Sequence, residues 1–130
     1  MVWLELICLC IYYSILKCVE SYATSTNKNV RLALCTVVLN TSSYAKTVGR
    51  YDDSIPELFL IIIGNICGSA LYETEATVRV LTAFGTVLLT NDAFMQKAKA
   101  LNMGSMLQHV ASQHGEKAAG VASEIQSILQ

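Results

Sequence analysis

The sequence predicts an all-α protein of six or seven helices. Hydrophobic residues make up 53% of the 130-residue chain and charged residues 15%, so the chain can bury a core and is not disordered. A single proline and the absence of any Asn-Gly or Asp-Gly pair argue against a meander of short strands. Polar and glycine residues separate apolar segments of helical length. Short links between such helices are typical of a compact bundle or of a helical solenoid, and the periodicity alone does not choose between them.

The first predicted helix runs from the N-terminus to about Ser21. Its apolar start could be taken for a signal peptide or a membrane anchor. No basic residue precedes the apolar run, however, and only eleven uncharged residues separate Glu5 from Lys17. A membrane-spanning helix needs about 20 apolar residues, so a core helix is the favoured interpretation, with a signal sequence and an anchor as alternatives. The apolar start also suggests that the chain begins partway through a larger helical array, because terminal repeats of solenoids normally have a polar outer face.

The next two helices are marked by polar residues at their starts. The second helix follows Asn27 and is expected to continue to about Val48, with a loop over residues 49–53. Ser54 and Glu57 lie three residues apart around Pro56, which is the capping-box pattern that opens an apolar helix over residues 58–67.

Four further helices complete the predicted fold. Two carboxylates begin a helix over residues 73–89, where the helix dipole favours negative charge. Asn91 is expected to cap a helix over residues 93–101, and Gly104 to separate it from a short helix over residues 105–112. Gly115 leads into the last helix, whose apolar side chains recur on one side (Val121, Ile125, Ile128 and Leu129).

Two isolated polar residues, Asn40 and Arg79, lie inside the apolar helices over residues 28–48 and 73–89. Helices that are apolar nearly all round are buried between neighbours, and a buried polar group without a partner costs about 1–3 kcal/mol. We therefore expect these two helices to be the most buried and to lie side by side, with Asn40 and Arg79 on one concave face. Two alternatives remain open: Asn40 could bond within a turn of the core, and Arg79 could pair with Glu75.

The local charge predicts the class of ligand. The net charge of -1 excludes a strongly basic nucleic-acid-binding protein. Residues 28–50 nevertheless carry four basic side chains and no acid (Lys28, Arg31, Lys46 and Arg50). A groove lined by these cations would attract an acidic, extended peptide. Arg79 could bind a carboxylate with two hydrogen bonds, and Asn40 could pair with peptide backbone. For Lys46 and Arg50, a solvated helix end is the alternative.

The five cysteines predict neither a metal site nor a catalytic nucleophile. They are odd in number, include no Cys-x-x-Cys pair, and mostly lie in apolar runs, so a reduced structural role is expected. Cys35 and Cys67 have no histidine nearby in the sequence, and a nucleophilic thiol needs an activating base. No metal and no cofactor is expected.

Two helical segments carry a family resemblance. The first contains Asn27, Lys28, Asn29, Val30, Ala33, Leu34, Thr36, Leu39, Asn40 and Ser42, and the second contains Glu75, Ala76, Thr77, Arg79, Leu81, Ala83, Gly85, Thr86 and Leu88. Together with the tail over residues 122–129, they resemble the PUL domain of phospholipase-A2-activating protein and its relatives. The resemblance covers residues 11–130, and residues 1–10 match weakly. Thr41 and the linker after Gly49 depart from the family pattern.

The resemblance implies a fold and a function. It implies an armadillo-like, right-handed helical solenoid, of which this chain is the C-terminal half. It implies a non-catalytic adaptor in ubiquitin-dependent protein turnover, whose groove binds the acidic C-terminal tail of the valosin-containing AAA ATPase and which meets other ubiquitin-pathway proteins indirectly. The expected location is the cytoplasm, with the nucleus as a second location. The alternatives are a helical scaffold for a different protein and the non-catalytic part of a fused cysteine isopeptidase.

Overall fold

The computed structural model describes the backbone of residues 2–43 and 54–130 and the side chains of residues 10–43 and 54–130. Within these ranges the chain forms seven α-helices and one 3₁₀-helix, and it has no strand, which confirms the predicted all-α class. The elements in chain order are α1 (Val2–Val19), the 3₁₀-helix (Glu20–Thr24), α2 (Lys28–Ser42), α3 (Ser54–Cys67), α4 (Thr74–Thr90), α5 (Asp92–Ala100), α6 (Met103–Gln113) and α7 (Gly115–Leu129).

The predicted helix starts are confirmed where asparagine caps them. The Asn27 side-chain oxygen accepts hydrogen bonds from the backbone N–H groups of Asn29 at 2.9 Å and Val30 at 3.3 Å. The Asn91 side-chain oxygen accepts from the N–H of Ala93 at 2.9 Å. These bonds satisfy N–H groups that the first turn of a helix leaves without an intrahelical partner. Helix α3 begins at Ser54, the residue that the capping-box pattern marked.

Two predicted boundaries differ from the structure. Helix α2 ends at Ser42, where the Ser42 hydroxyl donates to the Leu39 carbonyl at 2.6 Å, and serine hydroxyls that bond nearby carbonyls compete with helix continuation. The predicted continuation to Val48 lies outside the described residues. Between α5 and α6 the break is at Asn102, whose φ of 55° is left-handed, and not at Gly104, which lies within α6. Asparagine is one of the few residues other than glycine that adopt this conformation readily.

The centre of the core is α3. Nine of its fourteen residues are buried, against five of fifteen in α2 and eight of seventeen in α4. The Phe59 ring of α3 meets the Phe94 ring of α5 edge to face, with 5.7 Å between centroids. The expectation that α2 would be among the most buried helices was therefore wrong, because one side of α2 faces solvent with Leu32, Thr36 and Asn40.

Helix α1 contributes one face to this core. Leu16 is fully buried, and Tyr12 and Val19 pack against the core, whereas the other side chains described in α1 are exposed. Ile11 and Ile15 stay exposed on an adjacent side. In the part of the chain that the structure describes, no helix is both long and apolar enough to cross a membrane.

Helices α2, α4 and α7 lie side by side and run in the same direction. The Lys28 Nζ and a Glu73 carboxylate oxygen, 3.2 Å apart, join the starts of α2 and α4. Thr74 Oγ1 and His114 Nδ1, 3.3 Å apart, join the starts of α4 and α7. Gly85 of α4 faces Ile125 of α7. Gly85 lies eleven residues after Thr74, and Ile125 lies eleven residues after His114, so α4 and α7 stay in register along their length. Parallel packing of α2, α4 and α7 is consistent with the predicted solenoid, in which equivalent helices of successive repeats stack.

Candidate peptide-binding groove

A groove lies between α2 and α4, the two helices that carry Asn40 and Arg79. Its main part has a cavity volume of about 340 Å³, and a cleft of about 30 Å³ adjoins it at the start of the two helices. The main part is lined by Leu32, Cys35, Thr36, Leu39, Glu73, Glu75, Ala76 and Arg79. The cleft shares three of these residues and adds Lys28, Arg31, Leu71 and Tyr72. We call the two parts together the α2–α4 groove.

Helical spacing places these side chains on facing sides of the two helices. On α2, Leu32, Thr36 and Leu39 are three or four residues apart and therefore share one face. On α4, Ala76 and Arg79 follow the same rule, and the small Ala76 side chain leaves room between the helices. The groove is thus an expected result of two amphipathic helices packing in parallel. It combines an apolar floor with charged walls.

Arg79 lies in the wall of the groove with an exposed side chain. Its side chain is 65% exposed, and Nη2 donates a hydrogen bond to the Glu75 carboxylate at 3.2 Å. This is the i,i+4 pair that the sequence offered as an alternative. Lys28 is similar, since its side chain is 63% exposed and its Nζ contacts Glu73 across the groove. Such exposed ion pairs contribute about 0–1 kcal/mol, so both cations can exchange partners at little cost.

The α2–α4 groove is mixed in charge and not simply basic. Three cations line it (Lys28, Arg31 and Arg79), but the two carboxylates of Glu73 and Glu75 lie among them. Residues 28–50 themselves contain no acidic side chain. The acids come from the first turn of α4, where the helix dipole favours them, and the parallel packing brings that turn beside α2.

Arg31 holds the start of the groove together. Its side chain is half-buried, its Nη1 donates to the Ser25 carbonyl at 3.0 Å, and its guanidinium lies 5.8 Å from the centre of the Tyr72 ring. The Tyr72 hydroxyl in turn donates to the Ala23 carbonyl at 2.8 Å, in a buried contact. Arg31 therefore has structural contacts in addition to its position in the cleft. Its predicted role as a peptide ligand stays a prediction.

Sequence reasoning missed Tyr72. The residue is 4% exposed, although the polar and glycine residues before it mark a loop. Burial raises the pKa of the Tyr72 phenol to about 12, the nearby Cys35 adds to the shift, and Arg31 opposes it. A tyrosine directly before a helix whose first turn is acidic is a weak signal, because an apolar residue there often packs against the following helix.

Asn40, another predicted ligand, lies beyond the groove as the structure defines it. Asn40 is exposed and follows Thr36 by one turn on the same side of α2, so it continues the line of the groove without lining it. Lys46 and Arg50 lie outside the described residues. The roles of Asn40 and Lys46 in peptide binding stay predictions.

The thiols near the groove have the properties of structural cysteines. Burial raises the pKa of Cys35, and Arg31 only partly opposes the shift. Burial also raises the pKa of Cys67 to about 12, with Cys35 adding to the effect. Both side chains are therefore protonated thiols near neutral pH and poor nucleophiles. Among the side chains that the structure describes, those of residues 10–43 and 54–130, no group of three or more His, Cys, Asp or Glu could hold a metal ion.

A helical fold with a surface groove between two of its helices is typical of a protein-interaction domain. The comparison with family models identifies which one. The model of the PUL domain matches residues 7–126, which is most of the chain, and the chain belongs to the PUL domain family. PUL domains are non-catalytic protein-interaction modules. Comparisons with curated proteins and with solved structures gave no match.

Proposed function

We propose that this chain is a non-catalytic adaptor module that binds the acidic C-terminal tail of the valosin-containing AAA ATPase in ubiquitin-dependent protein turnover. It would act in the cytoplasm, with the nucleus as a second location, and would meet ubiquitin-pathway proteins through the ATPase. The observation that carries the proposal is the position of Arg79. An exposed guanidinium in the wall of a groove, in a domain of an interaction family, is available to a carboxylate ligand.

The groove offers an acidic peptide three kinds of contact. Arg79 can bind a carboxylate with two parallel hydrogen bonds, which are stronger than bonds between neutral groups. Lys28 can attract a second carboxylate as a point charge. Asn40, one turn beyond the groove, can donate to and accept from the backbone of an extended peptide. Binding by these contacts should weaken as salt rises, because the cations are exposed and screened.

The chemistry of the cysteines supports an adaptor over an enzyme. An isopeptidase of the cysteine type needs a thiolate and a base beside it. Cys35 lies in the floor of the groove, but burial raises its pKa, and the described residues place no histidine in the groove lining. If the chain is part of a fused isopeptidase, we assign it to the non-catalytic part.

One observation favours a second candidate, a helical scaffold for a different partner. Glu73 and Glu75 already pair with Lys28 and Arg79, so the groove carries only one net positive charge over its lining. An acidic peptide would have to displace these carboxylates. In a scaffold, the Lys28–Glu73 pair would hold the starts of α2 and α4 together, and the Glu75–Arg79 pair would stabilise α4 itself.

Titration calorimetry with a peptide of the acidic tail distinguishes the two candidates. The matched control is the same peptide with every Asp and Glu replaced by Asn and Gln, measured at about 50 mM and about 300 mM salt. The adaptor requires saturable binding of the acidic peptide that weakens as salt rises, with much weaker binding of the control. Equal binding of both peptides, or none at the lower salt concentration, would favour the scaffold.

A further inference from the structure

The α2–α4 groove exposes large apolar side chains that an acidic ligand alone would leave in water. Leu32 is 47% exposed in the main part, and Leu71 is 42% exposed in the adjoining cleft. Ala76 and Leu39, which are partly buried and pack against the core, also line the main part. Exposed apolar surface inside a concave site usually marks where a ligand places an apolar group.

The cations lie at the two ends of this apolar stretch. Lys28 faces Glu73 at the start of the groove, and Arg79 lies six residues further along α4. Six helical residues span about 9 Å, since each adds 1.5 Å along the axis. An extended peptide covers that distance in about three residues, at roughly 3.3 Å per residue. Two ligand carboxylates about three residues apart would therefore reach both cations, with the residues between them above Leu32 and Ala76.

We propose that the groove recognises an extended peptide in which one large aliphatic side chain lies between two acidic residues about three positions apart. The aliphatic side chain lies on Leu32 and Ala76. The two carboxylates bind Lys28 and Arg79, and they replace the Glu73 and Glu75 carboxylates there. The proposal rests on the groove being the binding site of the proposed function, and it adds the sequence pattern that the site selects.

The volume of the groove fits this ligand. About 340 Å³ is at the lower end of the range for small-molecule sites, which suits one aliphatic side chain with its adjoining backbone. The charge balance fits as well. Each ligand carboxylate takes the place of a protein carboxylate at an exposed pair, so the exchange costs little, and the aliphatic contact decides which acidic peptides bind well.

The test uses two acetylated decapeptides of Gly and Ser, each with two Asp residues three positions apart. One has Leu between the Asp residues and the other has Ser there, so their charges are equal. Both are titrated into the full 130-residue chain and into the Leu32→Gln and Leu71→Gln variants. Leu89→Gln is the matched control, because Leu89 is 72% exposed on α4 and does not line the groove. Circular dichroism checks that each variant is folded.

We expect the unmodified chain to bind the Leu peptide about tenfold more tightly than the Ser peptide, from the burial of part of one aliphatic side chain. Leu32→Gln should remove most of that difference, Leu71→Gln should reduce it less, and Leu89→Gln should leave the affinity for both peptides unchanged. Equal affinity of the two peptides for the unmodified chain, or an equal loss for both in Leu32→Gln, would overturn the aliphatic preference and leave acidic binding in place. If neither peptide binds at low salt, two proposals are overturned together: the aliphatic preference and the role of the groove as a site for acidic peptides.

Discussion

Tyr72→Phe should destabilise the chain through one buried hydrogen bond. The hydroxyl donates to the Ala23 carbonyl at 2.8 Å, and both residues are buried, at 4% and 1% exposure. The substitution keeps the ring that lies beside Arg31 but leaves the carbonyl without this donor. A buried acceptor without a partner costs about 1–3 kcal/mol, so we expect the free energy of unfolding to fall by about 2 kcal/mol. For a domain of this size, that corresponds to a fall in Tm of roughly 8 °C.

Urea denaturation followed by circular dichroism measures this loss. Tyr22→Phe is the matched control, because Tyr22 is 51% exposed and its ring lies on the same 3₁₀-helix as Ala23. We expect the control to change the free energy of unfolding by less than about 0.5 kcal/mol. A Tyr72→Phe variant as stable as the unmodified chain would show that the contact does not hold the 3₁₀-helix to the link before α4, and it would refute the structural role assigned to this end of the groove.

The same residue predicts a loss of stability at alkaline pH. The folded chain holds the Tyr72 phenol in its neutral form and raises its pKa from 10.0 to about 12. A raised pKa in the folded state means that the contribution to stability is complete below about pH 10 and is lost as the pH rises toward 12. Burial of Cys67 acts in the same direction, from pH 9.0 upward. Thermal unfolding between pH 7 and pH 11 should therefore show Tm falling above pH 9, with a smaller fall in Tyr72→Phe. An unchanged profile in the variant would contradict the assignment.

Two further predictions concern α4. Glu75→Gln removes the carboxylate that pairs with Arg79, so calorimetry should show an affinity for an acidic peptide about two- to fivefold higher. Urea denaturation should show a change in the free energy of unfolding below about 0.5 kcal/mol. An unchanged or weaker affinity would mean that the Glu75–Arg79 pair does not compete with the ligand. Gly85→Ala should stabilise the chain by about 0.5–1 kcal/mol, because alanine favours a helix and its Cβ would lie at an ordinary 3.5 Å from Ile125. Gly85→Leu should instead destabilise it by about 1–3 kcal/mol through overpacking against α7, and a stable Gly85→Leu variant would contradict the close α4–α7 contact.

Local signals in the sequence determined most of the fold. Asn27 and Asn91 mark helix starts because each capping side chain bonds a backbone N–H group only two or three residues further along the chain. The boundary between α5 and α6 was misplaced because the sequence offers both Asn102 and Gly104. Glycine is the usual residue at a left-handed position, and only the surrounding packing decides in favour of asparagine.

The groove was predictable in part. The apolar pattern of α2 and α4 and the isolated Arg79 indicated a surface between two helices, and the structure places Arg79 there. The charge of the groove was not predictable from residues 28–50, because Glu73 reaches Lys28 only through tertiary packing. The same limit applies to Tyr72, whose bond to Ala23 joins residues 49 positions apart. Local counts of charge or polarity carry no information about such contacts.

The most direct test of the adaptor function is the affinity of the acidic C-terminal peptide for the unmodified chain and for Arg79→Ala and Asn40→Ala. Calorimetry should show about a tenfold loss for Arg79→Ala, which removes a charge-assisted contact, and about a fivefold loss for Asn40→Ala, which removes a neutral one. Lys117→Ala, which removes an exposed cation of α7, is the control and should leave the affinity unchanged. Equal affinity in the unmodified chain, Arg79→Ala and Asn40→Ala, with circular dichroism showing all three folded, would contradict the assignment of the peptide to the α2–α4 groove.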